Sequence, residues 1–262
     1  MVSNIVFITL KRALRLAGLF AVIGILSAFT LQPISQNFST SGPESSKVFQ
    51  VHNPGAQPIA MRVEMLERHV DADGVESNPS ASGSFAVFPT QFVLDAGQRR
   101  NIRVRYTGTE NLDRERSFRL LAEQLPVDFS DPDQSGGAAG AGGGDSERRG
   151  EGSIQIMFRY LASVFVVPAG AEGPRPSVSI AERTEEAEAG LLLRFENEGG
   201  RHVVLQDLEL RLELDDGTEL PVTGNQLEGI VGTNLLAGAV RVHFLPLAAD
   251  LVGRVRHVRY VN

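Results

Sequence analysis

Residues 152–168, Gly-Ser-Ile-Gln-Ile-Met-Phe-Arg-Tyr-Leu-Ala-Ser-Val-Phe-Val-Val-Pro, are rich in β-branched and aromatic side chains and follow a glycine-rich tract. An ordinary strand takes about five to six residues, so this run is roughly three times longer than one strand of a small sandwich needs. With the two-residue period of a strand, Ile154, Ile156, Phe158 and Tyr160 fall on one side of the pleat. Gln155, Met157 and Arg159 fall on the other. The glycine-rich tract before it cannot pack over these side chains. The N-terminal half of the run is therefore expected to offer its apolar face to something outside the chain, by strand addition. The alternative is an interior strand of an ordinary β-sandwich.

A chain of 262 residues has room for about two domains, each large enough to bury a core. The net charge of −7 provides no basic stripe for a phosphate backbone, so nucleic acid is not an expected partner. Cysteine is absent, which excludes a disulfide framework, a thiolate nucleophile and a thiolate metal site.

Lys11, Arg12 and Arg15 precede an apolar run over residues 16–28, the arrangement of a secretory signal peptide. The run falls short of the about 20 residues that cross a bilayer. Cleavage after Ala28 is expected, with Leu26 larger than the small residue usual three positions before the cut; an uncleaved anchor is the alternative. After cleavage no later segment inserts stably in a membrane.

Beyond residue 28 the pattern is of recurring strands. Residues 29–38 read as an edge strand around Pro33, which cannot donate to a ladder. Val48 to Val51 reads as a short strand, and Asn53-Pro54-Gly55 as the turn of a hairpin into Ile59, Met61, Val63 and Met65. Asp71-Ala72-Asp73-Gly74 lacks the later ligands of a calcium loop and reads as a turn. Phe85 and Val87, then Phe92 and Leu94, flank Pro89, and Asp95-Ala96-Gly97 turns the chain into Ile102, Val104 and Tyr106. Residues 116–126 have helix-forming leucine and alanine, but their company of strands makes them a strand. Residues 128–153 combine prolines, acids and glycines, a composition that cannot bury enough apolar area to fold. Residues 168–176 read as a proline-stiffened elbow, and six or seven further strands follow, with Asp215-Asp216-Gly217-Thr218 the clearest hairpin.

Catalytic chemistry is not expected. His52, His69, His202, His243 and His257 show no metal-ligand spacing, no Gly-x-Ser-x-Gly elbow is present, and the glycine tract lacks the Lys-Ser or Lys-Thr end of a phosphate loop. No cofactor and no metal are implied.

Several segments resemble a known family. These are Phe49-Gln-Val-His-Asn-Pro-Gly with Pro58 following, Val87-Phe-Pro-Thr-Gln-Phe, Ile102-Arg-Val-Arg-Tyr-Thr-Gly, Glu115-Arg-Ser-Phe-Arg-Leu-Leu-Ala-Glu-Gln-Leu-Pro-Val and Arg159-Tyr-Leu-Ala-Ser-Val-Phe-Val-Val-Pro. Together they are similar to the periplasmic, PapD-like chaperones of chaperone-usher pilus assembly, particularly the branch often called archaic. The resemblance covers residues 29–168; the second domain is similar only in length and strand spacing.

It implies an all-β chain of two immunoglobulin-like β-sandwich domains at an angle. The domains would be residues 29–168, with residues 128–153 a flexible loop, and residues 169–262, after a signal peptide over residues 1–28. It implies a periplasmic chaperone, not an enzyme, that binds pilus subunits and delivers them to an outer-membrane usher. A free subunit lacks its last strand, and Ile154, Ile156, Phe158 and Tyr160 would complete it. Family members also grip the subunit's terminal carboxylate with a basic residue on the first strand and a lysine five residues before the elbow proline. Here residues 29–43 hold no Lys or Arg, and Ser163 takes the second position. Arg159, Arg103 and Arg105 are the substitutes. An interdomain bridge from Glu115 to an arginine before the elbow is also lost, because Val167 stands there. Glu115 is then expected to pair with a local arginine, with the domains fixed in another way. An exported adhesion or scaffold sandwich without chaperone activity is the alternative function.

Overall fold

The structure, a computed structural model, describes residues 29–127, 129, 156–185 and 188–261. Among them the chain forms two β-sandwiches with separate hydrophobic cores. The expected signal peptide over residues 1–28 lies outside the described residues. So does nearly all of the expected loop over residues 128–153, and Ile154 with it.

The first sandwich contains β1 (Thr30–Gln32), β2 (Ser35–Ser39), β3 (Ser46–His52), β4 (Ile59–Glu67), β5 (His69–Val70), β6 (Glu76–Ser77), β7 (Phe85–Phe88), β8 (Gln91–Leu94), β9 (Arg99–Tyr106), β10 (Arg116–Leu125) and β11 (Arg159–Val167). One sheet runs β1-β3-β9-β7 and the other β2-β11-β10-β4-β8, while β5 and β6 form a small hairpin. Alternation explains why these segments are strands. In β9, Ile102, Val104 and Tyr106 point into the core while Asn101, Arg103 and Arg105 stay in water. Facing positions come from β4 (Met61, Val63, Met65), β10 (Phe118, Leu120, Ala122) and β11 (Ala162, Val164, Val166). Each large apolar side chain buried in this way contributes about 1.5–3 kcal/mol. Residues 116–125 are a strand, as their neighbours led us to expect.

The Asn53-Pro54-Gly55 hairpin is not present. β3 and β4 lie in different sheets, so the turn carries the chain across the sandwich. Asn53 is buried and makes the crossing: its amide nitrogen donates to the carbonyls of Gln57 (2.8 Å), Leu94 (3.0 Å) and Asp95 (3.2 Å), and its oxygen accepts from Gly55 N at 3.0 Å. A side chain that ties both sheets together overrides the local turn signal. The first strand is split as well, β1 joining one sheet and β2 the other on either side of Pro33.

The second sandwich holds β12 (Pro176–Thr184), β13 (Gly190–Asn197), β14 (Val203–Val204), β15 (Glu209–Leu214), β16 (Glu219–Val222), β17 (Asn234–Leu235), β18 (Val240–Pro246) and β19 (Val255–Val261). Its core is leucine-rich and includes Leu191, Leu193, Phe195, Leu210, Leu212 and Leu245. β15 and β16 form the hairpin read from Asp215-Asp216-Gly217-Thr218, where Gly217 takes the left-handed φ of 82°.

Among the described residues, contacts that join the sandwiches include two backbone hydrogen bonds and a side-chain pair. Glu115 N donates to Gly200 O at 2.9 Å, Val242 N on β18 donates to Ala72 O at 2.8 Å, and the Glu115 side chain meets His202.

Candidate functional site

β11 is paired unequally along its two edges. On one side β10 accompanies it from Val166 to Arg159, and Gln124 N extends the pairing by donating to Phe158 O at 3.0 Å. On the other side β2 runs parallel to it only over Ser163–Val167, and Ser163 N donates to Ile34 O at 2.8 Å. Among the described residues, Arg159 to Ala162 have no strand on that side. An unpaired edge is a row of unused N–H and C=O groups, a template for another strand.

The face continues past the core. Ala162, Val164 and Val166 point inward, which puts Tyr160 in line with them on the same side of the pleat, while Phe158 and Ile156 precede the first residue of the strand. Burial along that line is uneven: Tyr160 is exposed and lies edge-to-face on Phe29 with centroids 4.9 Å apart, Phe158 packs partly against the core, and Ile156 is 47% exposed. Met157 and Leu161 are exposed too, so apolar surface flanks the open edge on both sides.

The three arginines considered as anchors are dispersed. Arg159 begins β11, exposed, opposite Glu123. Arg103 and Arg105 point outward from β9 in the other sheet, which does not adjoin β11. The structure brings Arg119 and Arg68 together instead. Arg119, opposite Ser163 in register, donates from Nη1 to Ser163 Oγ at 2.7 Å. Its Nε and Nη2 form a fork on the Glu76 carboxylate, both at 2.7 Å, and Arg68 Nε reaches the same carboxylate at 2.9 Å. Burial alone raises the Glu76 carboxyl, but the Arg119 hydrogen bond and the charges of Arg68 and Arg119 outweigh it and hold the group at about 2. Burial, and then the charge of Arg119, push the Arg68 guanidinium down. The Arg68 side chain is 8% exposed, and among the described residues its buried Nη1 has no hydrogen-bond partner. Sequence reasoning missed this cluster because Glu76 lies 43 residues from Arg119 and only the β10–β11 register places Arg119 beside Ser163.

Glu115 does not pair with a local arginine. Its buried carboxylate accepts from His202 Nδ1 at 2.8 Å and from His202 N at 3.2 Å, and the His202 ring stacks on Phe165 of β11. This pair is one of the contacts that join the two sandwiches.

The family model for pili and flagellar-assembly chaperones, PapD N-terminal domain, matches residues 34–172, more than half of the chain. The chain belongs to this family. Several solved structures share the two-domain, immunoglobulin-like fold of these PapD-like chaperones. A chain of the CsuC–CsuE chaperone–tip adhesion subunit pre-assembly complex, from the archaic chaperone-usher Csu pili of Acinetobacter baumannii, is 12% identical. It covers 85% of this chain and 89% of its own, with a TM-score of 0.54. The E. coli chaperone DraB is 17% identical, with coverage of 90% and 98% and a TM-score of 0.51. A chain of the Salmonella enterica SafA pilin–SafB chaperone complex is 17% identical, with coverage of 90% and 97% and a TM-score of 0.50. No curated protein matches the chain. As a PapD-like protein it is a pilus-assembly chaperone and not an enzyme. Among the described residues no helix is long and apolar enough to cross a membrane.

Proposed function

We propose that this chaperone works in the periplasm by donor-strand complementation. The N-terminal half of β11, with the residues before it, pairs along its open edge with a pilus subunit and lends the subunit the strand it lacks. Ile156, Phe158 and Tyr160, with Ile154 beyond the described residues, fill the subunit's groove, and the subunit then passes to an outer-membrane usher. The observation that carries this reading is the end of β2 pairing at Ser163, which leaves Arg159–Ala162 unpaired where the apolar face runs on to Ile156. Burying three such side chains contributes about 1.5–3 kcal/mol each. The family membership and the SafB and CsuC complexes, whose partners are a pilin and a tip adhesion subunit, support the same assignment. Export rests on the signal peptide expected over residues 1–28.

The test is co-expression with pilus subunits encoded beside the gene. A one-to-one complex should be recovered from the periplasm and lost when Ile156 and Phe158 both become Asp. Undiminished capture by that variant, or a chain that stays alone beside its subunits, rejects strand donation and favours an adhesion or scaffold sandwich.

A further inference from the structure

We propose that the open edge of β11 selects a client strand by its side chains, taking an acidic residue opposite Arg159 and an apolar residue, two positions away, opposite Leu161. The inference rests on the strand addition proposed above and deepens it by naming what the added strand carries. It holds for either direction of the visitor, because both requirements lie on one face and are fixed by position along β11.

Three rows of side chains cross the β2-β11-β10-β4-β8 sheet on the face turned away from the core, and strand register sets them. The first runs Leu66, Arg119, Ser163 and Ser35. It is complete, since Arg119 donates to the Ser163 hydroxyl and β2 supplies Ser35 as the last member. The second runs Glu64, Leu121 and Leu161, and the third Arg62, Glu123 and Arg159. Both of these stop at β11, because β2 does not reach them.

Side chains directly opposite on one face have β-carbons about 4.5–5.5 Å apart, where opposite charges attract and like charges repel. The third row already alternates in sign: Arg62 Nη2 meets Glu123 Oε1 at 2.5 Å, and Glu123 stands between Arg62 and Arg159. Arg159 is exposed and, among the described residues, forms no ion pair. The next position in that order calls for an anion. An aspartate or glutamate continues the alternation, while a lysine or arginine sets two cations side by side. The second row ends in apolar surface, with Leu121 buried and Leu161 beside it exposed. An apolar side chain added there removes Leu161 from water, whereas a charged one loses its own hydration against it. Arg159 and Leu161 are two residues apart, the spacing of one strand face, so the same side of the visitor meets both. The client that fits is an extended segment with an acid and an apolar residue at i and i+2, in either order.

The preference is local. The chain carries a net charge of −7, so its overall field favours a cationic visitor and works against selection of an acid.

The experiment uses the full chain after export and two heptapeptides, acetylated and amidated so that neither end is charged. They are Thr-Leu-Val-Glu-Val-Leu-Thr and the same sequence with Lys at its centre, palindromes that present one order in either direction. Calorimetry gives the affinities, and the backbone amide signals of Leu161 and Ala162 locate the peptide. The Glu peptide should bind about tenfold tighter than the Lys peptide in dilute buffer, and the ratio should shrink toward one in about 1 M salt. Arg159→Glu should invert the order, and Arg159→Gln should bring the two affinities together. Equal affinities for the unaltered chain, with both peptides located at Leu161 and Ala162, overturn the selection and leave strand addition standing. A Glu preference that survives in both variants assigns it to another cation and overturns the row. If neither peptide moves Leu161 or Ala162, strand addition falls and the selection with it; a chain that then sediments as a dimer has given the edge to a second copy. Should Arg159→Glu not fold, the Arg159→Gln result decides.

Discussion

One oxygen of Glu115 accepts two hydrogen bonds from His202, one from the ring and one from the backbone, so a buried carboxylate of the first sandwich is satisfied by a single residue of the second. The Glu115 side chain is 1% exposed, and the His202 ring lies flat on Phe165 with centroids 3.7 Å apart. Replacing His202 with Ala strips the carboxylate of its side-chain donor. Leaving a buried charged acceptor short of partners costs about 2–3 kcal/mol. H202A should lower the denaturant midpoint by a corresponding amount and broaden the distribution of interdomain distances in small-angle scattering. A variant with the original distribution would show that the junction is held elsewhere.

Ile156 and Phe158 separate function from stability. Ile156 is half exposed and lies outside the core cluster, while Phe158 packs against the core. Ile156→Asp should leave the melting temperature within about 2 °C of the parent, since exposed substitutions change stability little, yet remove subunit capture. Phe158→Asp should lose capture and about 2 kcal/mol or more of stability together, by burying an acid against the core. Equal melting temperatures for the two variants would contradict the burial difference.

Glu76 gives the molecule an acid-sensitive contact. Its folded carboxyl is held at about 2, below the ordinary 4.5, so it binds a proton more readily in the unfolded chain. The stabilisation is fully present above pH 4.5 and is lost as pH falls from there toward about 2. Melting curves of the parent and of E76Q should differ at about pH 6 and draw together only as pH falls to about 2. A gap that widens in acid would reverse the sign and refute the pairing.

Asn53 and Asn197 do the same work in different sandwiches. Asn197 donates to Arg201 O (2.7 Å), Leu235 O (3.2 Å) and Leu236 O (3.3 Å), and accepts from Gly199 N and Arg175 N, each at 3.0 Å. Each follows or ends a core strand and precedes a glycine by two residues, and a β-carbon at Gly199 would collide with the backbone of Gly173. Asn53→Ala or Asn197→Ala orphans several carbonyls and should cost about 2–4 kcal/mol, read by chemical denaturation. Losses below about 0.5 kcal/mol would mean that other donors replace the amide.

The strands were readable because alternation is local: Ile102, Val104 and Tyr106 announce their face within one segment. The apolar side of β11 was readable for the same reason, but its length was not: the strand expected from residue 152 begins at Arg159, residues 156–158 are not in a strand, and residues 152–155 lie outside the described residues. The crossing at Asn53 was not, since its tie to Leu94 spans 41 residues and the local residues spell an ordinary turn. Arg103 and Arg105 lie on the opposite sheet from β11, a separation that sheet order sets and local pattern does not reveal. His202 and Arg119 acquire their partners, Glu115 and Glu76, only once both sandwiches and the β10–β11 register are formed. Periodicity has no access to such pairs.

Because β2 covers β11 only from Ser163 onward, the ladder available to a visitor has a fixed origin at Ile34. Under the proposed strand donation, every client laid along it would be measured from that same zero mark. Clients of unequal length would therefore be flush at this end and ragged only at the other, so tolerance for variety belongs to the stretch upstream of Phe158.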